Sequence, residues 1–177
     1  MKKLSLITFA FALLLSSNAI AQKFSGLDKS PADIAVLKTS RTSPPLVKVV
    51  YSRPQLKGRT VASLAKNGEV WRTGANEASE IVLFKDMKIG GKAVKAGTYS
   101  LFTIPGEKEW VIILSSDTNV WGAYGYKEAN DVARITVPVS SGDESLEAFS
   151  IAYKKTDNGY NMVLGWGTVR VEVPLSH

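Results

Sequence analysis

The sequence predicts an all-β protein, an antiparallel β-sandwich or jelly-roll, with a short helical segment near its N-terminus. Three observations carry this. Apolar residues alternate with polar ones over many runs of five to eight residues, with Gly, Pro, Asn or Asp clusters between them. No stretch carries the 3.6-residue periodicity of a core-length helix. The 177 residues contain no cysteine and a single histidine, His177, so packing rather than disulfides or metal ligation must hold the fold.

The elements follow in order. Residues 1–21 read as a signal peptide: Lys2 and Lys3, then the apolar run Leu4–Leu15, then Ala19-Ile20-Ala21 as a small-x-small cleavage site before Gln22. The run is too short to span a bilayer, which needs about 20 apolar residues. The expectation is a periplasmic or secreted protein with no transmembrane segment. Without a cysteine after the signal it is not a lipoprotein. Residues 22–45 read as an N-terminal extension. Within it, Ser30-Pro31-Ala32-Asp33 has the pattern of a helix start, with a capping Ser, Pro at the first position and an acid in the first turn. That predicts a short helix through Lys38, broken by Pro44-Pro45.

Residues 46–177 read as a single β-sandwich domain. Strands are predicted at Leu46–Ser52, Ser79–Phe84 with Met87–Ile89 continuing it, Thr98–Ile104 and Trp110–Leu114. More follow at Arg134–Val139, Leu146–Tyr153, Tyr160–Trp166 and Thr168–Val173. One helical turn is expected around Val61–Lys66. Asp157-Asn158-Gly159 marks a turn.

Charge is uneven. Residues 22–72 hold 10 Lys/Arg against 3 Asp/Glu, and residues 73–177 hold 10 against 13. No basic run is interleaved with aromatics, so no nucleic-acid partner is expected. The cysteine and histidine counts exclude thiol nucleophiles, a triad with an internal histidine, and His- or Cys-built metal sites. No cofactor and no metal are expected.

The candidate site rests on residue chemistry. In Trp71-Arg72-Thr73-Gly74-Ala75-Asn76-Glu77, Arg72 offers a planar fork for carboxylate, phosphate or sulfate, and Trp71 a flat stacking face. Asn76 both donates and accepts. Tyr51 and Arg53, ahead of a strand-ending proline, are expected near the same surface. Arg59, Trp121 and Tyr124 complete the ligand-binding set, the last two in the Gly/aromatic run Val120–Tyr126. The alternative for this loop is a structural corner, with Arg72 paired to Glu77 and Trp71 in the core. No catalytic residue is assigned. A glycan hydrolase needs a carboxylate pair across a cleft; Glu77 with Glu80, Glu107 with Glu109, and Asp117 and Asp131 near turns are the acids to weigh, and they read as solvated surface acids.

Two stretches, Tyr51-Ser52-Arg53-Pro54 with Lys57-Gly58-Arg59, and Val70 through Ala78, carry a family resemblance. With them go Ala96–Pro105, Trp121-Gly122-Ala123-Tyr124 and Asp131-Val132-Ala133-Arg134. Together they resemble the domain of unknown function 2911, a family of exported bacterial β-proteins, from about Phe24 to Pro174. The loop Thr60–Gly68 departs from the family pattern in lacking aromatics. The resemblance implies an exported β-protein. The expected role is a non-catalytic binding module for a small or glycan-like ligand or an envelope-protein partner. Alternatives are a carboxylate-dependent glycan hydrolase and a purely structural envelope module.

Overall fold

Among the described residues nine antiparallel strands form one continuous sheet. The structure is a computed structural model and describes residues 22–177; the signal-peptide reading lies outside the described residues. The strands are β1 (Ala32–Lys38), β2 (Pro45–Ser52), β3 (Ser79–Leu83), β4 (Met87–Ile89) and β5 (Lys92–Val94). They continue with β6 (Gly97–Ile104), β7 (Glu109–Ser115), β8 (Asp131–Thr156) and β9 (Gly159–Ser176), and lie across the sheet in the order β1-β2-β3-β6-β7-β8-β9-β4-β5. Among the described residues helix is confined to α1 (Val61–Leu64) and a 3-10 turn at Glu128–Asn130. No described helix is long and apolar enough to cross a membrane.

The sheet folds over on itself at β8. Up to Pro138 that strand pairs with β7, and from Val139 it pairs with β9. Pro138 has no N–H to give a ladder and sits where the partner changes. One half, from β1 to the start of β8, therefore faces the other, from the rest of β8 through β9 to β4 and β5. The architecture is sandwich-like, and alternate residues of both halves meet in one core. Val49, Ile81, Leu101 and Ile112 come from the first half, and Met162, Leu164, Val171 and Val173 from the second.

At the centre of the core lies an aromatic cluster. Trp71 stacks on Trp166 with ring centres 5.5 Å apart and planes 11° apart. Trp110 and Phe149 meet Trp71 edge to face at 6.1 and 5.1 Å. A smaller core lies on the outer surface of β6 and β7, where Phe102, Ile113 and Ala78 are covered by Val120, Ala123 and Tyr126 of the 116–130 loop.

Three sequence expectations change. Residues 32–38 are a strand, not a helix, and pair with β2 from Ala32↔Ser52 onward. The cap signals are used otherwise: the Asp28 side chain accepts the Ser30 N–H at 2.6 Å, and Asp33 reaches Arg53. The β-branched and apolar run Ile34-Ala35-Val36-Leu37 then adds to the sheet. The sheet thus begins inside the 22–45 segment. Met87–Ile89 does not continue β3. It pairs with β5 and β9 in the other half of the sheet. The predicted strands at 134–139 and 146–153 are parts of one long strand. The register shifts between Ser141 and Ser150 are irregularities within it rather than a chain reversal.

Candidate functional site

The Trp71–Glu77 loop connects the short helix to β3 and carries opposite chemistry on its two sides. Trp71 pairs its backbone with Thr103 of β6, N–H to carbonyl at 2.7 Å and back at 2.9 Å. That fixes its ring inward, 8% exposed. Arg72, the next residue of an extended backbone, points the other way.

The loop then turns sharply. Thr73 (φ 53°) and Asn76 (φ 62°) both have left-handed backbones. For β-branched Thr73 that conformation is costly and survives only where the surroundings over-determine it. They do. Thr73 is fully buried, its hydroxyl is 3.2 Å from that of Thr103, and its carbonyl accepts the Ser79 hydroxyl at 2.8 Å. Across the loop, the 116–130 segment completes the frame. Gly122 N–H donates to the Asn76 carbonyl at 3.2 Å, Ala78 N–H to the Val120 carbonyl at 2.9 Å, and Glu77 bridges to Trp121.

Arg72 emerges from this frame half-buried. Its Nη1 donates to the Asn76 carbonyl at 3.0 Å. Among the described residues no carboxylate lies within ion-pair distance of it. The pairing with Glu77 expected of a structural corner is not made. The left-handed residues turn the chain between them, and Glu77 is exposed. Arg72 opens instead on a cleft of about 330 Å³, which Trp71, Val70, Leu64, Lys66, Ala123 and Tyr124 also line. Gly122 (φ 65°) brings Tyr124 over this region: a Cβ there would lie 2.7 Å from the Tyr124 ring and 3.4 Å from Arg72 Nη1. Tyr124 is 84% exposed. The cleft therefore combines a guanidinium with free donors, an open aromatic face and an apolar floor. Lys66 and Glu69 form an exposed pair at its rim, 3.5 Å apart.

The other sequence candidates lie elsewhere or play other parts. Tyr51 is buried, takes the Ile151 N–H at 3.0 Å and lies 3.3 Å from Asp33 Oδ2. Burial, ahead of the Asp33 charge, raises its phenol above the ordinary range. Arg53 is engaged through all three nitrogens: Nε donates to the Phe149 carbonyl at 3.0 Å, Nη1 to Asp33 at 3.1 Å and Nη2 to the Ser150 hydroxyl at 2.7 Å. Arg59 turns back onto the Leu56 and Gln55 carbonyls. Trp121, 60% exposed, stands on the same loop as Tyr124 but outside the cleft lining. Tyr51, Glu77 and Glu80 line a separate depression of about 220 Å³, where Glu80 accepts the Asn119 N–H at 3.1 Å.

The sequence did not single out Lys66 or Leu64. The signal was present in Thr60, whose hydroxyl caps α1 by accepting the Ser63 N–H at 3.2 Å and so places both residues at the cleft. A clamp at the end of the aromatic loop was also missed. Asp131 Oδ2 accepts from Tyr126 OH at 2.7 Å and Arg134 Nη1 at 3.0 Å. Burial first, then the Asp131 hydrogen bond, pushes the Tyr126 phenol up to about 12.

A family model described as a protein of unknown function, DUF2911, matches residues 30–175. The chain belongs to the DUF2911 family. The matched span holds the whole sheet apart from Ser176, both arginine-bearing motifs and the aromatic loop. No curated protein and no solved structure matches the chain.

Proposed function

We propose that this DUF2911 protein is an exported, non-catalytic binding module that takes an acidic, ring-bearing ligand, such as a uronic-acid glycan, into the Arg72–Tyr124 cleft. One observation carries the reading: a strained but fully supported loop holds Arg72 half-buried beside an exposed tyrosine face, with no carboxylate partner in the described chain. A guanidinium fork suits a carboxylate, and a flat aromatic suits the face of a sugar ring. The apolar floor adds contact area at the cleft's base. The export signal in the sequence supports an envelope ligand over a cytosolic one.

The hydrolytic alternative needs two carboxylates across a cleft. Glu69 is the one acid lining this cleft, and it pairs with Lys66. Titration calorimetry with oligogalacturonate and with a neutral oligosaccharide of equal length tests the proposal. Binding of the acidic glycan alone, lost in Arg72→Ala and weakened in Tyr124→Ala, is expected. Equal binding of both glycans, or release of cleaved product, would overturn it.

A further inference from the structure

Part of the outer sheet face carries exposed apolar side chains interleaved with unpaired cations. We propose that the chain docks on an anionic phospholipid bilayer through this face, at the end that carries the β1–β2 turn. The proposal does not involve the Arg72 cleft.

The register defines the face. Leu37, Val47, Val49, Ile81 and Leu83 lie in the core, so the alternate residues of β1, β2 and β3 point outward. Strand pairing sets these in rows. Ile34, Val50 and Glu80 form one, and Val36, Lys48 and Val82 the next. Beyond them Lys38 ends β1, and Phe84 follows β3 with its N–H held by the Leu46 carbonyl at 3.0 Å. The 116–130 loop covers the neighbouring part of the outer face, over Phe102 and Ile113, and meets β3 at Glu80. Past that coverage Ile34, Val36 and Phe84 remain 56%, 42% and 49% exposed. One such side chain is ordinary; three on one face with Val50 and Val82 between them make a patch.

Charge decides the occupant. Lys48 stands between Val36 and Val82, and Lys38, Arg41 and Lys85 gather at the turn end. Among the described residues none of the four has a carboxylate within ion-pair distance. Asp86, next to Lys85 in the chain, is taken by Lys95 at 2.8 Å. The acid of this face, Glu80, sits in the Ile34 row, four residues or roughly 13 Å from Lys38 at about 3.3 Å per residue. A depression of about 510 Å³ at the turn end is lined by Pro44, Pro45 and Phe84 together with Thr39, Ser43 and Lys85. Hydroxyls and an ammonium suit a phosphate headgroup, and the prolines and phenylalanine suit the chain below it. A bilayer satisfies both halves of this chemistry at once. Its anionic headgroups meet the cations, while Val36 and Phe84 enter the boundary beneath and the lysine stems lie along them. A soluble polyanion would take the charges and leave the apolar side chains in water.

Co-sedimentation of the purified protein with vesicles tests this. It should bind mixed phosphatidylcholine–phosphatidylglycerol vesicles and not phosphatidylcholine alone. Binding should fade at about 1 M salt, where the Debye length falls to about 3 Å. Lys48→Gln with Lys85→Gln should weaken it roughly 25-fold, at about fivefold for each charge removed. Thermal melting of that variant should match wild type, since neither lysine has an acidic partner to lose. Arg72→Ala should bind the vesicles as wild type does. Orientation is read with a polarity-sensitive dye on single cysteines, because the chain has none of its own. On the mixed vesicles a dye at Phe84→Cys should shift to the blue, and one at Glu77→Cys, beside Glu80, should not. No binding, equal binding to neutral vesicles, binding indifferent to the two glutamines, or equal dye shifts at both positions overturns the proposal. So does binding of soluble polyglutamate without binding of vesicles, which would assign the face to an acidic protein. A blue shift at position 84 that grows with protein concentration alone would assign it to a second copy and overturn the proposal as well.

Discussion

Two arginines near the ends of neighbouring motifs, Arg53 and Arg72, share a residue type and differ in almost everything else. Arg53 ties two strands to the end of β2: β1 through Asp33, and β8 through the Phe149 carbonyl and the Ser150 hydroxyl. Each of its three nitrogens donates to the protein. Among the described residues Arg72 has one partner for its guanidinium, and that carbonyl is also held by Gly122. The corner at Arg53 closes the fold, while the loop at Arg72 is closed by its neighbours and leaves the guanidinium free. An arginine in a family motif is thus a staple or a hook according to how many of its donors the protein itself satisfies.

The largest expected effect lies on the inward side of the Arg72 loop. Trp71→Ala should cost about 3–5 kcal/mol in urea unfolding, because it empties the centre of the aromatic cluster. A loss under about 1 kcal/mol would mean that this loop is not anchored from within. Next comes Arg53→Ala, at about 2 kcal/mol, since it removes the charged partner of Asp33 and the side-chain donor of the Phe149 carbonyl at a partly exposed site. Arg53→Lys should recover only part, because lysine cannot fork.

Tyr126→Phe should cost about 1 kcal/mol by removing the hydroxyl that donates to Asp131 and accepts from Arg134 in the clamp beneath the aromatic loop. It should also change the alkaline limb of the stability profile. The folded phenol titrates near 12 against an ordinary 10.0, so its contribution is complete below pH 10.0 and is lost as pH rises toward about 12. Wild type should lose stability over that window more steeply than Tyr126→Phe, as read by unfolding at fixed pH steps. Arg72→Ala comes last. The Asn76 carbonyl keeps its bond from Gly122, so stability should move by about 0.5 kcal/mol or less. If Arg72→Ala proves as damaging as Arg53→Ala, the contrast between the two arginines collapses.

Much of the sheet was legible because alternation records which face is buried. β2, β6 and β7 were read within a residue or two for that reason. β1 was misread because Ser30-Pro31-Ala32-Asp33 mimics a helix start, and what decides the matter, Arg53 reaching Asp33, lies 20 residues away. The site was legible in residue type and not in arrangement. Trp71, Arg72 and Tyr124 do line one cleft, yet Tyr51 and Arg53 belong to the corner. Sequence spacing could not show that Thr73 and Asn76 would adopt left-handed backbones and turn Glu77 away from Arg72.

The stack of Trp71 on Trp166 has a kinetic consequence. Its two rings come from distant parts of the chain, and the strand that carries the second, β9, pairs with both β8 and β4. The first half of the sheet therefore cannot close over its largest side chain until almost all of the polypeptide is available. Folding should be slow for the size, in the millisecond-to-second range of sheet proteins dominated by non-local pairings. A chain still emerging from the ribosome would hold Trp71 uncovered and its core unformed. That is the state in which a polypeptide can be threaded through a narrow channel before it acquires a shape.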